Sequence, residues 1–218
     1  MILHLETSTK ICSVALSNQN GLIDCHEILD DKFVHGELLT EMIDALLKRN
    51  KVLRKELSAI SCAIGPGSYT GLRIGLATAK GLAFGLNIPL IGISSLESLV
   101  KVAQEIHPNK TYAAAFDARR NEVFLRIQHQ NEVLLSDQAM ILEPDSLKMY
   151  KSLCWIGDAN EKIEGILKAE GTTFDNSIHP SAKGQISLAR QYIHHGKVDD
   201  LRSLTPNYTK DFYSAQNK

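Results

Sequence analysis

Apolar positions along this chain recur with two different periods, and the alternation between those periods predicts a series of strands and helices. Short apolar or alternating runs predict strands at 2–5, 12–16, 21–28, 59–64, 89–93, 111–116, 122–129, 132–135 and 153–156. Apolar residues spaced three or four apart predict helices at 36–49, 70–86, 95–104, 158–169 and 185–195. The mixture indicates an α/β protein.

One unit of this pattern occurs twice. A strand, an acidic residue, a turn and a second strand occur around Glu6 and again around Asp117. The repetition predicts two related halves that each open with a β-hairpin. We place the halves at 1–105 and 106–218, and we expect the extended tail at 204–209 to pack back on the first half.

The predicted helix at 36–49 has an apolar face that is wider than one sheet requires. Its central stripe contains Leu39, Met42, Ile43 and Leu46, and Leu38 and Leu47 widen the stripe to about half of the circumference. The excess indicates a second contact, so this helix is a candidate partner-binding element.

The region from 65 to 85 holds six of the fourteen glycines of the chain, although much of it has a helical pattern. A glycine inside a helix costs about 0.8–1 kcal/mol relative to alanine, so the segment needs a compensating contact. Gly71, Gly75, Thr78, Ala79 and Leu82 lie on or beside one face of the helix. This small-residue stripe predicts close approach by another helix, either from this chain or from a partner.

Composition narrows the class of protein. The 218 residues are 44% hydrophobic and 22% charged with a net charge of −1, which is typical of a globular protein without a dominant nucleic-acid surface. No apolar run of about 18 residues predicts a membrane span, and we expect a cytoplasmic protein. The basic run at 48–55 is best explained as a solvated helix end, with RNA contact as the weaker alternative. The four scattered cysteines are expected to be buried thiols.

Two polar loops are candidate anion sites. Glu6, Thr7, Ser8 and Thr9 place a carboxylate and three hydroxyls in one turn, although such turns also form without a ligand. Gly67 and Ser68 lie in a glycine-rich turn before a helix, where backbone N–H groups can face an anion. This turn lacks the Lys-Ser/Thr ending of a Walker A loop. The spacing indicates neither a metal site nor a nucleophile with its base.

Several ordered motifs resemble those of the TsaB (YeaZ) family. They are Glu6-Thr7-Ser8-Thr9, the segment from His35 to Leu39, the eleven residues from Gly65 to Gly75, Ser94 to Glu97, Asp117 to Val123, and the pair Pro206 and Tyr208. The resemblance covers nearly the whole chain, and the glycine run is its most specific part.

The resemblance implies an actin-like ATPase (ASKHA) fold, with two related halves that each hold a mixed β-sheet flanked by helices. It also implies a noncatalytic subunit that pairs with TsaD, the catalytic paralogue that transfers threonylcarbamoyl to the tRNA adenosine beside the anticodon. TsaE joins these subunits in bacteria, and tRNA would be contacted through the complex. His35 and Leu39 stand where the paralogue has paired metal-binding histidines, so no metal and no resident cofactor are expected, with ATP or ADP and Mg²⁺ only in the complex.

The interface that the resemblance implies uses both helices that need a partner. Its residues would be His35, Leu38, Leu39, Met42, Ile43, Leu46, Gly71, Gly75, Thr78, Ala79 and Leu82, and Glu6, Thr7, Ser8, Thr9, Gly67 and Ser68 would form a vestigial nucleotide site. Many relatives carry Asp where this chain has Glu6, which weakens the nucleotide prediction. Two alternatives stay open: a stand-alone actin-like nucleotide-dependent enzyme or hydrolase, and a homodimer formed by the same helices when the partner is absent.

Overall fold

The computed structural model describes residues 1–29, 35–167 and 171–209, which form two five-stranded β-sheets flanked by helices. The first sheet contains β1 (Ile2–Glu6), β2 (Ile11–Asn18), β3 (Gly21–Leu29), β4 (Ala59–Gly65) and β5 (Leu90–Ser94). The second sheet contains β6 (Thr111–Asp117), β7 (Glu122–His129), β8 (Glu132–Ile141), β9 (Leu153–Ile156) and β10 (Thr173–Asp175). The helices in the described ranges are α1 (His35–Arg49), α2 (Tyr69–Leu86), α3 (Ser95–Ile106), α4 (Asn160–Ile166) and α5 (Gln185–His194).

The two sheets have the same topology. The strand order is β3-β2-β1-β4-β5 in the first sheet and, in the same direction, β8-β7-β6-β9-β10 in the second. In each sheet the first three strands form an antiparallel meander, and the last two strands run parallel to the first. The predicted fold of two related halves, each with a mixed sheet flanked by helices, is therefore confirmed.

Each sheet is covered on both faces. Helices α1 and α2 pack on one face of the first sheet, and α5 covers the other face through Leu188, which packs with Ile2, Ile91 and Ile93. Helix α3 covers one face of the second sheet, and α4 packs on the other face with the buried Trp155.

A helix from each predicted half packs on the sheet of the other half. Helix α3 falls almost entirely within the predicted first half, yet Leu96 and Leu99 pack on the second sheet. Helix α5 falls in the predicted second half, yet it packs on the first sheet. The boundary between 105 and 106 stays a prediction, and the chain passes from one sheet to the other immediately after Ser94.

The segment that follows α5 returns to the first half. The backbone N–H of Asn207 donates a hydrogen bond to the Ile64 carbonyl at 2.6 Å. The Tyr208 ring lies 5.2 Å from the Tyr69 ring, measured between centroids, and its hydroxyl accepts a hydrogen bond from Arg73 Nε at 2.9 Å. The described part of the tail therefore lies against the start of α2, while residues 210–218 lie outside the described ranges.

Most element boundaries differ from the predicted ones by one or two residues, and three differences are larger. The apolar pattern does not indicate β10, which has three residues, and it places the end of β8 at 135 instead of Ile141. The helix predicted at 158–169 begins at Asn160, because the Asp158 carboxylate accepts a hydrogen bond from the Asp117 N–H and belongs to the preceding loop. It ends at Ile166, three residues before the predicted end at 169, and residue 169 itself lies outside the described ranges. Among the described residues, no helix combines the length and apolarity needed to cross a membrane.

Candidate functional site

The glycine-rich loop is held tightly against the turn between β1 and β2. Ser68 caps α2 by accepting a hydrogen bond from the Gly71 N–H at 3.2 Å, and its own N–H donates to the Ser8 carbonyl at 2.6 Å. A Cβ atom at Gly67 would lie only 2.4 Å from that carbonyl oxygen. Any side chain at position 67 would therefore force the loop away from the turn.

Gly71 and Gly75 are explained by the same turn and not by a second helix. A Cβ atom at Gly71 would lie 2.1 Å from the Thr7 carbonyl oxygen, and one at Gly75 would lie 2.2 Å from Thr7 Oγ1. Thr7 Oγ1 also donates a hydrogen bond to the Gly71 carbonyl at 2.8 Å. The compensating contact for these two glycines comes from this chain, so they do not require a partner, and their assignment to a partner interface stays a prediction.

Most of the other residues assigned to the interface are also buried inside the chain. Leu39, Met42, Ile43 and Leu46 pack in the core of the first sheet, and Ala79 is buried with them. His35 is buried and its Nε2 donates a hydrogen bond to the Thr9 carbonyl at 2.7 Å, so it has a structural role here. Of the assigned residues, only Leu38, Thr78 and Leu82 are partly accessible. The wide apolar face of α1 is used by the chain's own core.

A different face of α2 is exposed and apolar. Gly81 and Gly85 are exposed and have open space where a Cβ atom would lie, so nothing in the described chain compensates their helical cost of about 1 kcal/mol each. Phe84 is 80% exposed and Ala77 is exposed on the same side of the helix. We call Ala77, Gly81, Phe84 and Gly85 the α2 stripe. Phe84 is not among the interface residues that the sequence predicts, although Gly81 and Gly85, one turn apart in the same helix, are a signal.

A cavity of about 500 Å³ lies between the two halves, beside the start of α2. Ser8, Thr9, Gly67 and Ser68 line it, as the nucleotide prediction requires. The opposite wall carries Asp117, the acid of the second copy of the repeated unit, so the two repeats face each other. Ser8 is buried, and its Oγ has no hydrogen-bond partner among the described residues. A serine hydroxyl near the start of a helix can contact an anion.

Glu6 and Thr7 do not line this cavity. Glu6 is fully buried, its Oε1 accepts a hydrogen bond from the Ser8 N–H at 2.8 Å, and its Oε2 has no partner among the described residues. Burial raises the pKa of the Glu6 carboxyl above its ordinary value. Glu6 therefore holds the turn from inside, and the assignment of Glu6 and Thr7 to a nucleotide site stays a prediction that the lining of this cavity does not support.

The two acidic residues that line the cavity from the second half, Asp117 and Asp158, are already bonded within the chain. Lys162 Nζ bonds to the Asp117 carboxylate, and the Asp117 N–H donates to Asp158 Oδ1 at 2.9 Å. Burial raises the pKa of Asp158, so its charged form is disfavoured. Burial also raises the pKa of Cys12 and of Cys25 to about 11, which makes both thiols poor nucleophiles. The described cleft offers hydroxyl and amide contacts for an anion, without a paired nucleophile and base.

The basic run after α1 is largely engaged in ion pairs with the chain's own acids. Arg49 contacts Asp24 at 2.5 Å, and Lys48 and Arg54 contact Asp44 at 2.6 and 2.9 Å. These pairs lie at solvent-accessible positions, where water and salt screen the charges and the contribution to stability is small. This arrangement agrees with a solvated helix end.

Residues 33–196 match the family model described as TsaD: tRNA N6-adenosine threonylcarbamoyltransferase. A Bacillus subtilis protein named "tRNA threonylcarbamoyladenosine biosynthesis protein TsaB" is 30% identical over 224 residues, covering 96% of this chain and 93% of that relative. The chain belongs to the TsaB family. A Haemophilus influenzae protein with the same name is 38% identical over 123 residues, which cover 56% of this chain and 51% of that relative.

A solved structure supports the family assignment at the level of the fold. The crystal structure of YeaZ from Pseudomonas aeruginosa is similar to this TsaB family member with a TM-score of 0.83 and 27% identity, covering 95% of this chain and 98% of that one. Together with the duplicated sheets, this likeness confirms the predicted fold of two related halves that each hold a mixed sheet flanked by helices.

Proposed function

We propose that this chain is a noncatalytic subunit in the biosynthesis of threonylcarbamoyladenosine in tRNA, and that it pairs with the catalytic paralogue TsaD. The names of its TsaB relatives support the pathway. The observation that carries the pairing is the α2 stripe, because it combines an 80% exposed Phe84 with two glycines that no contact inside the described chain explains. Small residues let a second helix approach closely, and an exposed aromatic ring provides an anchor.

The noncatalytic assignment is supported by the chemistry of the cleft. Asp117 is bonded to Lys162, burial raises the pKa of Asp158 and so disfavours its charged form, and Glu6 faces the interior. Chemistry on tRNA would then occur on TsaD, with TsaE joining the complex in the cytoplasm. ATP or ADP with Mg²⁺ would act at the level of this complex. Contacts with tRNA phosphates would come mainly from the partners, since this chain carries a net charge of −1.

The pairing can be tested with two variants that change equally exposed residues. Phe84→Asp places a charge in the α2 stripe, and Met149→Asp places one at a residue of the second half that is also 80% exposed. We expect Phe84→Asp to weaken association with TsaD by about 30-fold or more, as for loss of a central aromatic anchor, and Met149→Asp to leave the affinity unchanged. Isothermal titration with purified TsaD gives both constants.

Variants at the buried residues of the predicted interface are unsuitable for this purpose. Leu39→Glu and Gly75→Leu would damage the chain's own packing, because Leu39 is 1% exposed and Gly75 lies against Thr7. A wild-type chain that does not bind TsaD, with or without ATP and TsaE, would contradict the proposed function. Equal affinity of Phe84→Asp and wild type would contradict the α2 stripe as the interface.

A stand-alone nucleotide-dependent enzyme or hydrolase is the second candidate, because the cavity of about 500 Å³ borders the start of α2 and the unpartnered Ser8 hydroxyl. We expect no ATP turnover by the isolated chain, since the described cleft lacks an activated nucleophile or base. A steady-state assay with Mg²⁺ checks this, and Ser8→Ala controls for contamination. Mass measured over a concentration series separately reports a homodimer of the isolated chain.

A further inference from the structure

A buried ionic network lies where the chain passes from the first sheet to the second. Arg126 of β7 has a side chain that is only 9% exposed. Its Nη1 contacts Asp137 Oδ1 of β8 at 2.8 Å, and its Nη2 lies 3.6 Å from Glu97 Oε1 of α3. Its Nε donates a hydrogen bond to Gln128 Oε1 at 2.8 Å. The guanidinium is therefore surrounded by acceptors from three elements that form or cover the second sheet.

Both carboxylates of the network are also bonded to the first sheet or to the helix that covers it. Ser94, the last residue of β5, donates its hydroxyl hydrogen to Asp137 Oδ2. Tyr192 of α5, the helix that covers the first sheet, donates its hydroxyl hydrogen to Glu97 Oε2 at 3.3 Å. Burial beside Glu97 raises the pKa of Tyr192 to about 12, so the phenol keeps its proton.

The second passage of the chain between the sheets is fixed close by. The 3₁₀ turn Ala182–Gly184 leads from the second half into α5. It touches α3 so closely that a Cβ atom at Gly184 would lie 2.1 Å from the Ser98 carbonyl oxygen. The two connections between the halves are thus both tied to α3.

Rotation of one half against the other would disrupt this arrangement. It would separate Ser94 from Asp137 and Tyr192 from Glu97, leaving half-buried carboxylate oxygens without a protein donor. We propose that Arg126, Glu97, Asp137, Ser94 and Tyr192 form an interlobe latch that holds the angle between the two sheets fixed and prevents the cleft from closing around a ligand. The latch is independent of the pairing with TsaD.

The distance across the cleft tests the latch directly. Spin labels at Thr70 in α2 and Glu164 in α4 report on the two halves from exposed helical positions, and Cys25→Ser removes the half-buried native thiol. In this background we expect a single narrow distance distribution by double electron–electron resonance, unchanged by Mg²⁺ and ATP. Arg126→Met should add a second population at a different distance. Lys148→Met, which removes an exposed ion pair with Asp145, is the control and should reproduce the parent distribution.

A milder variant covers the case in which Arg126→Met does not fold. Tyr192→Phe removes only the hydrogen bond to Glu97 and keeps the ring, and we expect it to broaden the distribution. If Arg126→Met folds and shows the same distance distribution as the parent protein, the latch is overturned. If Arg126→Met does not fold, the same result for Tyr192→Phe overturns it. A parent distribution that shifts on addition of Mg²⁺ and ATP would overturn it as well.

Discussion

Gly71→Ala is expected to lower the free energy of unfolding by about 3 kcal/mol, the upper part of the usual range for an overpacked site. The new Cβ atom would lie 2.1 Å from the Thr7 carbonyl oxygen, and a backbone atom inside the first half cannot move away cheaply. Either α2 or the turn between β1 and β2 must shift, which also strains the hydrogen bond from Thr7 Oγ1 to the Gly71 carbonyl. Urea unfolding followed by circular dichroism measures the loss.

Gly81→Ala is the matched control, because it makes the same change in the same helix. No atom lies within 4 Å of the added Cβ, so only the helical propensity changes. We expect the isolated chain to gain about 0.8–1 kcal/mol. Shifts of the same sign and size in both variants would mean that the contact with Thr7 does not determine the requirement for glycine at position 71.

Glu6→Gln is expected to stabilise the chain near pH 8 by about 1–3 kcal/mol, the usual penalty for a buried polar group without a partner. Burial raises the folded-state pKa of Glu6 above the unfolded value of 4.5, so the folded state holds this proton more tightly. The contribution of Glu6 to stability is therefore complete below pH 4.5 and is lost as the pH rises through the folded-state pKa. Glutamine cannot ionise, and its oxygen can still accept from the Ser8 N–H.

The expected signature is a gap between wild type and Glu6→Gln that widens from pH 5 to pH 8 in urea unfolding experiments. Glu41→Gln, at an exposed position of α1, should leave the pH dependence of wild type unchanged. A gap that stays constant over this pH range would show that ionisation of Glu6 does not contribute to the pH dependence of stability.

The duplicated sheets could be predicted from the sequence because the apolar period of each element and the repeated acid-turn unit are both local patterns. Strands and helices have different apolar periods, and the acid-turn unit at Glu6 recurs at Asp117 within a few residues of each strand end. The predicted β8 ends at 135, too early, because a charged residue such as Asp137 is typical of a loop. Its charge is tolerated in the strand by Arg126 of the neighbouring strand, a partner that no local pattern identifies.

The candidate interface was predicted less well, for a physical reason. A glycine in a helix records that some neighbour is close, but not which neighbour it is. The neighbour of Gly71 and Gly75 is Thr7, which is more than sixty residues away along the chain. Similarly, the broad face of α1 fits into the core that β2 and α2 complete, so its width does not require a partner. Solvent exposure of Phe84 could be learned only from the fold.

Helix α5 sets an order for folding during synthesis. The strands of the first sheet leave the ribosome early, but Ile2, Ile91 and Ile93 are covered by Leu188, which is made almost one hundred residues after Ile93. Until then, one face of a completed sheet is an apolar surface that the nascent chain cannot bury. The half that is translated first is thus the last to be enclosed, and it needs protection from aggregation until α5 has been made.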